Sequence, residues 1–397
     1  MVRIHQHRGV EQLVARWSHK PEVVLRGSSP TSATHQVFYM KIAVIGAGNV
    51  GVAIAADLSI QGHEVSLVKS SSTPSKAFDM LLKNRNHVWL KENGEYKETY
   101  IMKVTNVLDA IEDAEVVFVT IQSIYQEELY KSICQYLNSE QVLVCICSYM
   151  SSFYLAQYCQ SLPMIAETTG PYLEGRVELE DMANEVVFRV GCRLTNSPLS
   201  LFNENRKEEC MAKLKSLQEC FNACYSVIES ALLNPNMVLH TVGAIMSIPR
   251  IEYSAGNFCM YREAYTHKNR ATLNIMLRLD EEKKAVLKSL GARPVDIMES
   301  GGFLRGWDSF FEYSESEDRA ISPTSVRSRY ITEDVSQGLV LLESIANRVG
   351  VEVPVATSLI DIAGAALDSD FRKDGRTISK LNAVRFIDHL SERKYGC

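Results

Sequence analysis

The sequence predicts an α/β domain with a parallel sheet, followed by an all-α C-terminal domain. Three observations predict it. A glycine-rich turn joins an apolar strand to a helix. Short apolar strands then alternate with helical patterns as far as Ser230, and only helical patterns follow. A chain of 397 residues, 46% hydrophobic and 23% charged, is long enough for two such domains.

Residues 1–39 stand apart from both. They carry five Lys or Arg against two acidic residues, while the whole chain has a net charge of -6. "RGSSPTSATHQ" is rich in Ser and Thr and has no apolar period, and no secretory core precedes it. The segment is predicted to be a disordered extension, with His5 and His7 solvated.

Residues 40–229 form the first domain. "KIAVIG" is a buried strand and residues 50–61 are apolar at helical spacing. "HEVSLVK", "AEVVFVTI" and "QVLVCICS" are further strands, with "QEELYKSICQYL" helical before the last. Strands that alternate with helices form a parallel sheet covered on both faces. A helix over 204–223 and a strand "YSVIES" complete the domain. Residues 230–397 form the second domain, with helical patterns at 231–247, 257–264, 275–290, 333–348, 355–368 and 377–393.

Bulk properties narrow the function. The acidic balance does not favour nucleic acid, and no basic amphipathic stretch favours a membrane surface. No apolar run reaches the roughly 18 residues of a spanning helix. The ten cysteines form no CxxC pair, and Cys220 and Cys224 are an isolated CxxxC on a helical pattern. They read as free thiols rather than metal ligands or disulfides, which fits a reducing cytoplasm.

Gly46-Ala47-Gly48-Asn49-Val50-Gly51 is GxGxxG, placed after a strand and at the start of a helix, with a second strand soon after. That context is the dinucleotide fingerprint of a Rossmann domain. Gly46 permits the tight turn, Gly48 lets backbone approach a pyrophosphate, and Gly51 lets helix and strand pack closely. The helix start then offers N–H groups to phosphate. At the end of the second strand an acidic residue would bind the ribose of NAD, but this chain has Lys69-Ser70-Ser71-Ser72. A lysine and hydroxyls suit a 2′-phosphate, so NADP(H) is expected over NAD(H), with Lys69 and Ser70 at that end of the cofactor.

The helical domain carries two further features. Asn236 and His240, in "LLNPNMVLHT", share one helix face. In "RSRYITEDVSQGLVLLESIANRVG", Thr332 can cap a helix with Glu333 and Asp334 in its first turn, Arg329 in the loop before it and Gly350 at its end. Taken alone, His240 reads as a core histidine and Asp334 as a partner of the helix dipole.

Together these stretches, with "ETTGPY", "FCMYREAYT" and "GLVLLESIANRVGVEVP", resemble the opine dehydrogenase family, of the octopine dehydrogenase type, over most of residues 40–368. The departures are Thr241 after the histidine, Ala264 after Tyr-x-Glu, and no histidine in "TIQSIYQ". The resemblance implies reductive condensation of an amino acid with an α-keto acid, using NAD(P)H. It implies His240 and Asp334 as the catalytic pair, Arg329 for a substrate carboxylate, and Asn236 and Tyr261 in the substrate pocket. It leaves a homodimer open. Two other readings share the layout. One is a ketopantoate reductase-like enzyme, which would depend on a helical-domain lysine, with Lys268, Lys283 and Lys284 present. The other is a non-catalytic dinucleotide sensor, which has no need of a proton donor.

Overall fold

Eight strands form one sheet in the order β12-β11-β8-β7-β6-β1-β2-β5 in the computed structural model, which describes residues 39–180, 185–316 and 322–393. The extension expected over residues 1–39 lies outside the described residues except for Tyr39. Strands β1 (Lys41–Ile45), β2 (Glu64–Val68), β5 (Lys103–Thr105), β6 (Val116–Val119), β7 (Val142–Ile146) and β8 (Met164–Thr168) run parallel. Their spatial order is the 3-2-1-4-5-6 arrangement of dinucleotide-binding sheets. The sheet is mixed rather than purely parallel: β11 (Ser197–Leu201) is antiparallel to β8, and β12 (Phe221–Tyr225) runs beside it.

The central strands are apolar throughout because each buries both faces. Ile42 and Val44 point into one core with helix α1 (Asn49–Ile60), while Ala43 and Ile45 point into the other with the C-terminal helices. A second sheet, which the apolar pattern does not foretell, has the order β4-β3-β10-β9. It comprises β3 (His87–Glu92), β4 (Glu95–Tyr100), β9 (Leu173–Glu180) and β10 (Glu185–Arg193). Asn93 and Gly94, both at positive φ, make the tight turn between β3 and β4. Asp57 of α1, 4% exposed, ties that sheet down. It accepts hydrogen bonds from Arg193, Tyr172, Gln61 and Gln218 at 2.7–3.0 Å.

Helices α2 (Lys76–Lys83), α3 (Gln126–Ile133), α4 (Ser152–Tyr158) and α5 (Lys207–Leu217) complete the strand crossovers. The helix expected over 204–223 therefore stops at Leu217, and Cys220 and Cys224 lie before and within β12. Of "YSVIES" only Tyr225 lies in a strand, at the end of β12. Ser226 and Glu229 form a capping box that starts helix α6 (Val227–Leu232). The rest of the described chain is helical: α7 (Asn236–Met246), α8 (Ile248–Ser254), α9 (Met260–Ala264), α10 (Arg270–Ser289), α11 (Ile297–Ser300), α12 (Trp307–Glu315), α13 (Arg329–Thr332), α14 (Val340–Val349), α15 (Pro354–Leu367), α16 (Phe371–Asp374) and α17 (Val384–Arg393). Among the described residues no single helix is long and apolar enough to cross a membrane.

The stretch after α13 corrects the expected helix start. Thr332 is no cap; its hydroxyl donates to Ser328 O from the end of α13. Asp334–Leu339 is a π-helical turn, so Asp334 sits inside a continuous helical path rather than at a helix N-terminus. Gly350, at φ 70°, ends α14 as expected.

Candidate active site

The glycine turn is built as the sequence demands. Gly46 has φ 119°, open mainly to glycine. A Cβ on Gly51 would stand 1.6 Å from Gly46 O, so no larger residue fits there. A Cβ on Gly48 would meet nothing within 4 Å, which leaves the start of α1 open to a phosphate. The first internal bond of α1 runs from Val52 N–H to Gly48 O, at 3.0 Å, and the N–H groups of Asn49, Val50 and Gly51 precede it. Thr120, after β6, donates its hydroxyl to Ile45 O at 2.9 Å, shared with Gly46 O at 3.2 Å, and seats the turn on the next strand. These features fit the pyrophosphate of a dinucleotide. The Asn49 side chain serves the second sheet instead, since its oxygen accepts the Val177 N–H of β9 at 2.9 Å. Lys69 follows β2, donates to Ser71 O and lies 5.7 Å from the centre of the Phe78 ring, while Ser70 beside it is half-buried.

The second constellation forms where α7 meets the π-helical turn. His240 Nδ1 and Asp334 Oδ2 are 2.8 Å apart, and both residues are buried. The Tyr330 ring stacks on the imidazole at 3.7 Å, with the planes 6° apart, and the Tyr261 ring meets it edge-on at 6.4 Å. The other Asp334 oxygen accepts the Tyr149 hydroxyl at 2.9 Å. Tyr149 comes from the loop after β7, and no sequence motif marks it. Glu333 Oε1 accepts both the Ser123 N–H, at 2.6 Å, and the Ser123 hydroxyl, at 2.8 Å. Adjacent carboxylates of the helical region therefore reach the C-terminal ends of β6 and β7. In open α/β sheets that crevice is where ligands bind.

Arg329 begins α13, and its guanidinium lies 3.6 Å from Glu333 Oε2. Asn236 opens α7, one turn before His240. It is half-buried, and its backbone N–H, rather than its side chain, is bonded, to Asn234 Oδ1. Tyr261 packs against the Tyr265 and Tyr313 rings as well as His240, which makes it part of an aromatic wall. The structure thus brings together His240, Asp334, Arg329 and Tyr261, and adds Tyr330, Tyr149, Glu333 and Ser123.

Burial sets the electrostatics. It pushes the His240 imidazole below its ordinary value, against the pull of Asp334, so the ring rests neutral at neutral pH. Burial and then the Asp334 charge push Glu333 above the usual carboxylate range. Burial, reinforced by Asp334, holds the Tyr149 phenol well above its ordinary value, so it stays a donor. A neutral histidine braced by a carboxylate can take up and release a proton near neutrality.

The lysines stand elsewhere. Lys283 is buried in α10, but its ammonium pairs with Asp280 at 2.7 Å, and Lys284 pairs with Glu281 at 2.8 Å. Lys268 is exposed.

Fold and site together define a nicotinamide-dependent oxidoreductase with a helical C-terminal region. Residues 223–367 match the profile of the NAD/NADP octopine/nopaline dehydrogenase alpha-helical domain. Residues 41–151 match that of the NAD-dependent glycerol-3-phosphate dehydrogenase N-terminus. The chain is 26% identical to vitopine synthase of Allorhizobium ampelinum over 88% of its own length and 99% of that protein's. It is 24% identical to opine dehydrogenase of an Arthrobacter species over 85% and 94%. Among solved structures, NADP+-bound yersinopine dehydrogenase superposes with TM-score 0.67 at 13% identity, covering 89% of this chain and 99% of that one. Octopine dehydrogenase with NADH and agmatine gives 0.65 at 15% identity, covering 89% and 98%. Over most of its length the chain is thus similar to opine-forming NAD(P)-dependent dehydrogenases, and its helical region matches their helical-domain profile.

Proposed function

We propose that the chain condenses an amino acid with an α-keto acid and reduces the product, so that amino acid, keto acid, NAD(P)H and a proton give an N-(carboxyalkyl) amino acid, NAD(P)+ and water. The observation that supports the roles of its residues is the buried His240–Asp334 pair, with Arg329 one turn before Asp334. In this reading residues 40–229 hold the cofactor and residues 230–397 hold the substrates. Gly46 to Gly51 hold the pyrophosphate, with Lys69 and Ser70 at the ribose end. When bound, the reduced nicotinamide supplies the hydride that saturates the imine carbon.

The side chains do the rest. Imine formation requires the carbonyl oxygen to leave as water, so it must gain protons. His240, neutral at rest, accepts a proton from the attacking amine and returns it to the departing oxygen. Asp334 holds the ring in one tautomer and supports the imidazolium. Arg329 offers two parallel N–H donors to a substrate carboxylate. Asn236 orients the substrate or the nicotinamide amide, and Tyr261 lines the amino-acid pocket. Lys69, unlike an acidic residue, favours the 2′-phosphate, so NADPH is the preferred reductant.

The test is a panel of amino acids with pyruvate and related keto acids, run separately with NADPH and NADH. Cofactor oxidation should require both substrates, be faster with NADPH, and yield a secondary amine identified by mass. Oxidation with a keto acid alone, at the same rate, would make the enzyme a simple carbonyl reductase.

A further inference from the structure

The loop after β7 is held in an unusual shape. Cys147, Tyr149 and Met150 all have left-handed backbones, at φ 54°, 48° and 64°. For residues other than glycine such conformations cost energy and persist only when their surroundings enforce them. Arg376, just after α16, is 1% exposed. Its guanidinium donates to Ser148 O, to Tyr149 O at 2.8 Å and to Ser123 O at 2.8 Å, and it lies 5.2 Å from the Tyr154 ring centre. Its own backbone N–H donates to Ser336 O, at 2.8 Å, inside the π-helical turn that carries Asp334. One buried cation therefore joins the β6 loop, the β7 loop and the turn of the catalytic carboxylate. Gly338 completes the approach, since a Cβ there would stand 3.2 Å from the Tyr149 ring and 2.9 Å from Met237.

We propose that Tyr149 is a positioning residue that sets the proton affinity of the His240–Asp334 pair, and that Arg376 holds Tyr149 in place to do so. The proposal rests on the reading of that pair as the proton carrier. The Tyr149 hydroxyl draws charge from one Asp334 oxygen while His240 uses the other. A carboxylate that shares its charge supports an imidazolium less strongly. The hydroxyl thus keeps the histidine ready to release a proton. Other charges around the pair act as a fixed background. Arg329 and Glu333 come from the same helical path, and Cys147 lies near Asp334 on the β7 loop. Tyr330 and Tyr261 cover the ring, Arg176 and Tyr313 lie near Tyr330, and Glu174 lies near Cys147. None of them donates to Asp334.

The test titrates His240 directly by 15N NMR in the cofactor-bound protein, with His240→Ala identifying its signal among nine histidines. No substrate is needed, so the outcome is independent of whether the enzyme makes opines. Tyr149→Phe keeps the ring and removes only the donor. It should raise the His240 pKa by about 0.5–1 unit. Arg376→Lys should raise it as well, by freeing the Tyr149 loop. The double variant should shift no further than Tyr149→Phe alone, since both act through one hydrogen bond. An unchanged titration in Tyr149→Phe overturns the proposal whether or not Arg376→Lys folds. A shift from Arg376→Lys that persists with Phe at 149 overturns the part assigned to Arg376.

Discussion

His240 has one ring nitrogen bonded to Asp334 and one face stacked on Tyr330, so the proposed proton transfer would run through Nε2. His240→Ala should lower kcat by about 10²–10⁴ while cofactor affinity stays nearly unchanged. Asp334→Asn should lower it too, and the double variant should lose little more than the worse single one, because the residues act as a unit. Arg329→Ala should instead raise KM for the keto acid. Steady-state rates and a cofactor titration on these variants separate the roles, and near-normal kcat in His240→Ala would reduce His240 to a packed core residue. The pairing of His240 with Asp334 was legible only through the family resemblance carried by Asn-x-x-x-His and Arg-Tyr-x-x-Glu-Asp, because each residue alone reads as structural. Tyr149 and Ser123 were not. They belong to loops 185 and 210 residues from their partners, and no local period marks a loop residue whose meaning lies in a distant contact.

The α1 element shows how little room the local design leaves. Gly51→Ala must move the Gly46 carbonyl or tilt the helix, since a Cβ would lie 1.6 Å from that oxygen. Either movement displaces the phosphate cradle. Dinucleotide affinity, measured by fluorescence titration, should fall by more than about tenfold, while the protein stays folded. Unimpaired binding would mean that this turn does not hold the phosphates. The alternation of apolar strands and helices revealed the large sheet, because both-face burial makes such strands apolar throughout. It concealed the second sheet, whose strand β4 reads "EYKETY" and is mostly exposed. Asn93-Gly94 was its one plain signal. The strand expected at "YSVIES" ends at Tyr225 for a similar reason: Val227 and Ile228 favour extension, but Ser226 and Glu229 pair across a helix start and outweigh that tendency.

At the scale of the whole molecule, burial of neutral histidine makes stability sensitive to acid. His63 Nδ1 accepts the Met40 N–H at 3.2 Å, a bond that a protonated ring could not accept, and burial lowers its pKa despite Glu115. The unfolded chain then binds the proton more readily than the folded one. The contribution is complete above the ordinary imidazole value of about 6.5 and is lost as pH falls below it. His63→Asn keeps an acceptor oxygen without a titrating ring. Between about pH 7 and pH 5.5 its Tm should fall by roughly 1–2 °C less than that of the parent. Equal losses would show that His63 titrates alike in both states. A different long-range consequence follows from the end of β6. Thr120 grips the glycine turn, and Ser123, three residues on, is gripped by the neighbour of Asp334. In the proposed reading, the cofactor turn and the proton-carrying pair are therefore linked through one short segment, residues 120–123. By thermodynamic reciprocity, whatever factor cofactor binding imposes on the acidity of His240, protonation of His240 must impose on the affinity for cofactor. The enzyme would grip its two nucleotide redox forms with a strength that follows the pH around it, and so couple the order in which cofactor and substrates come and go to the availability of protons.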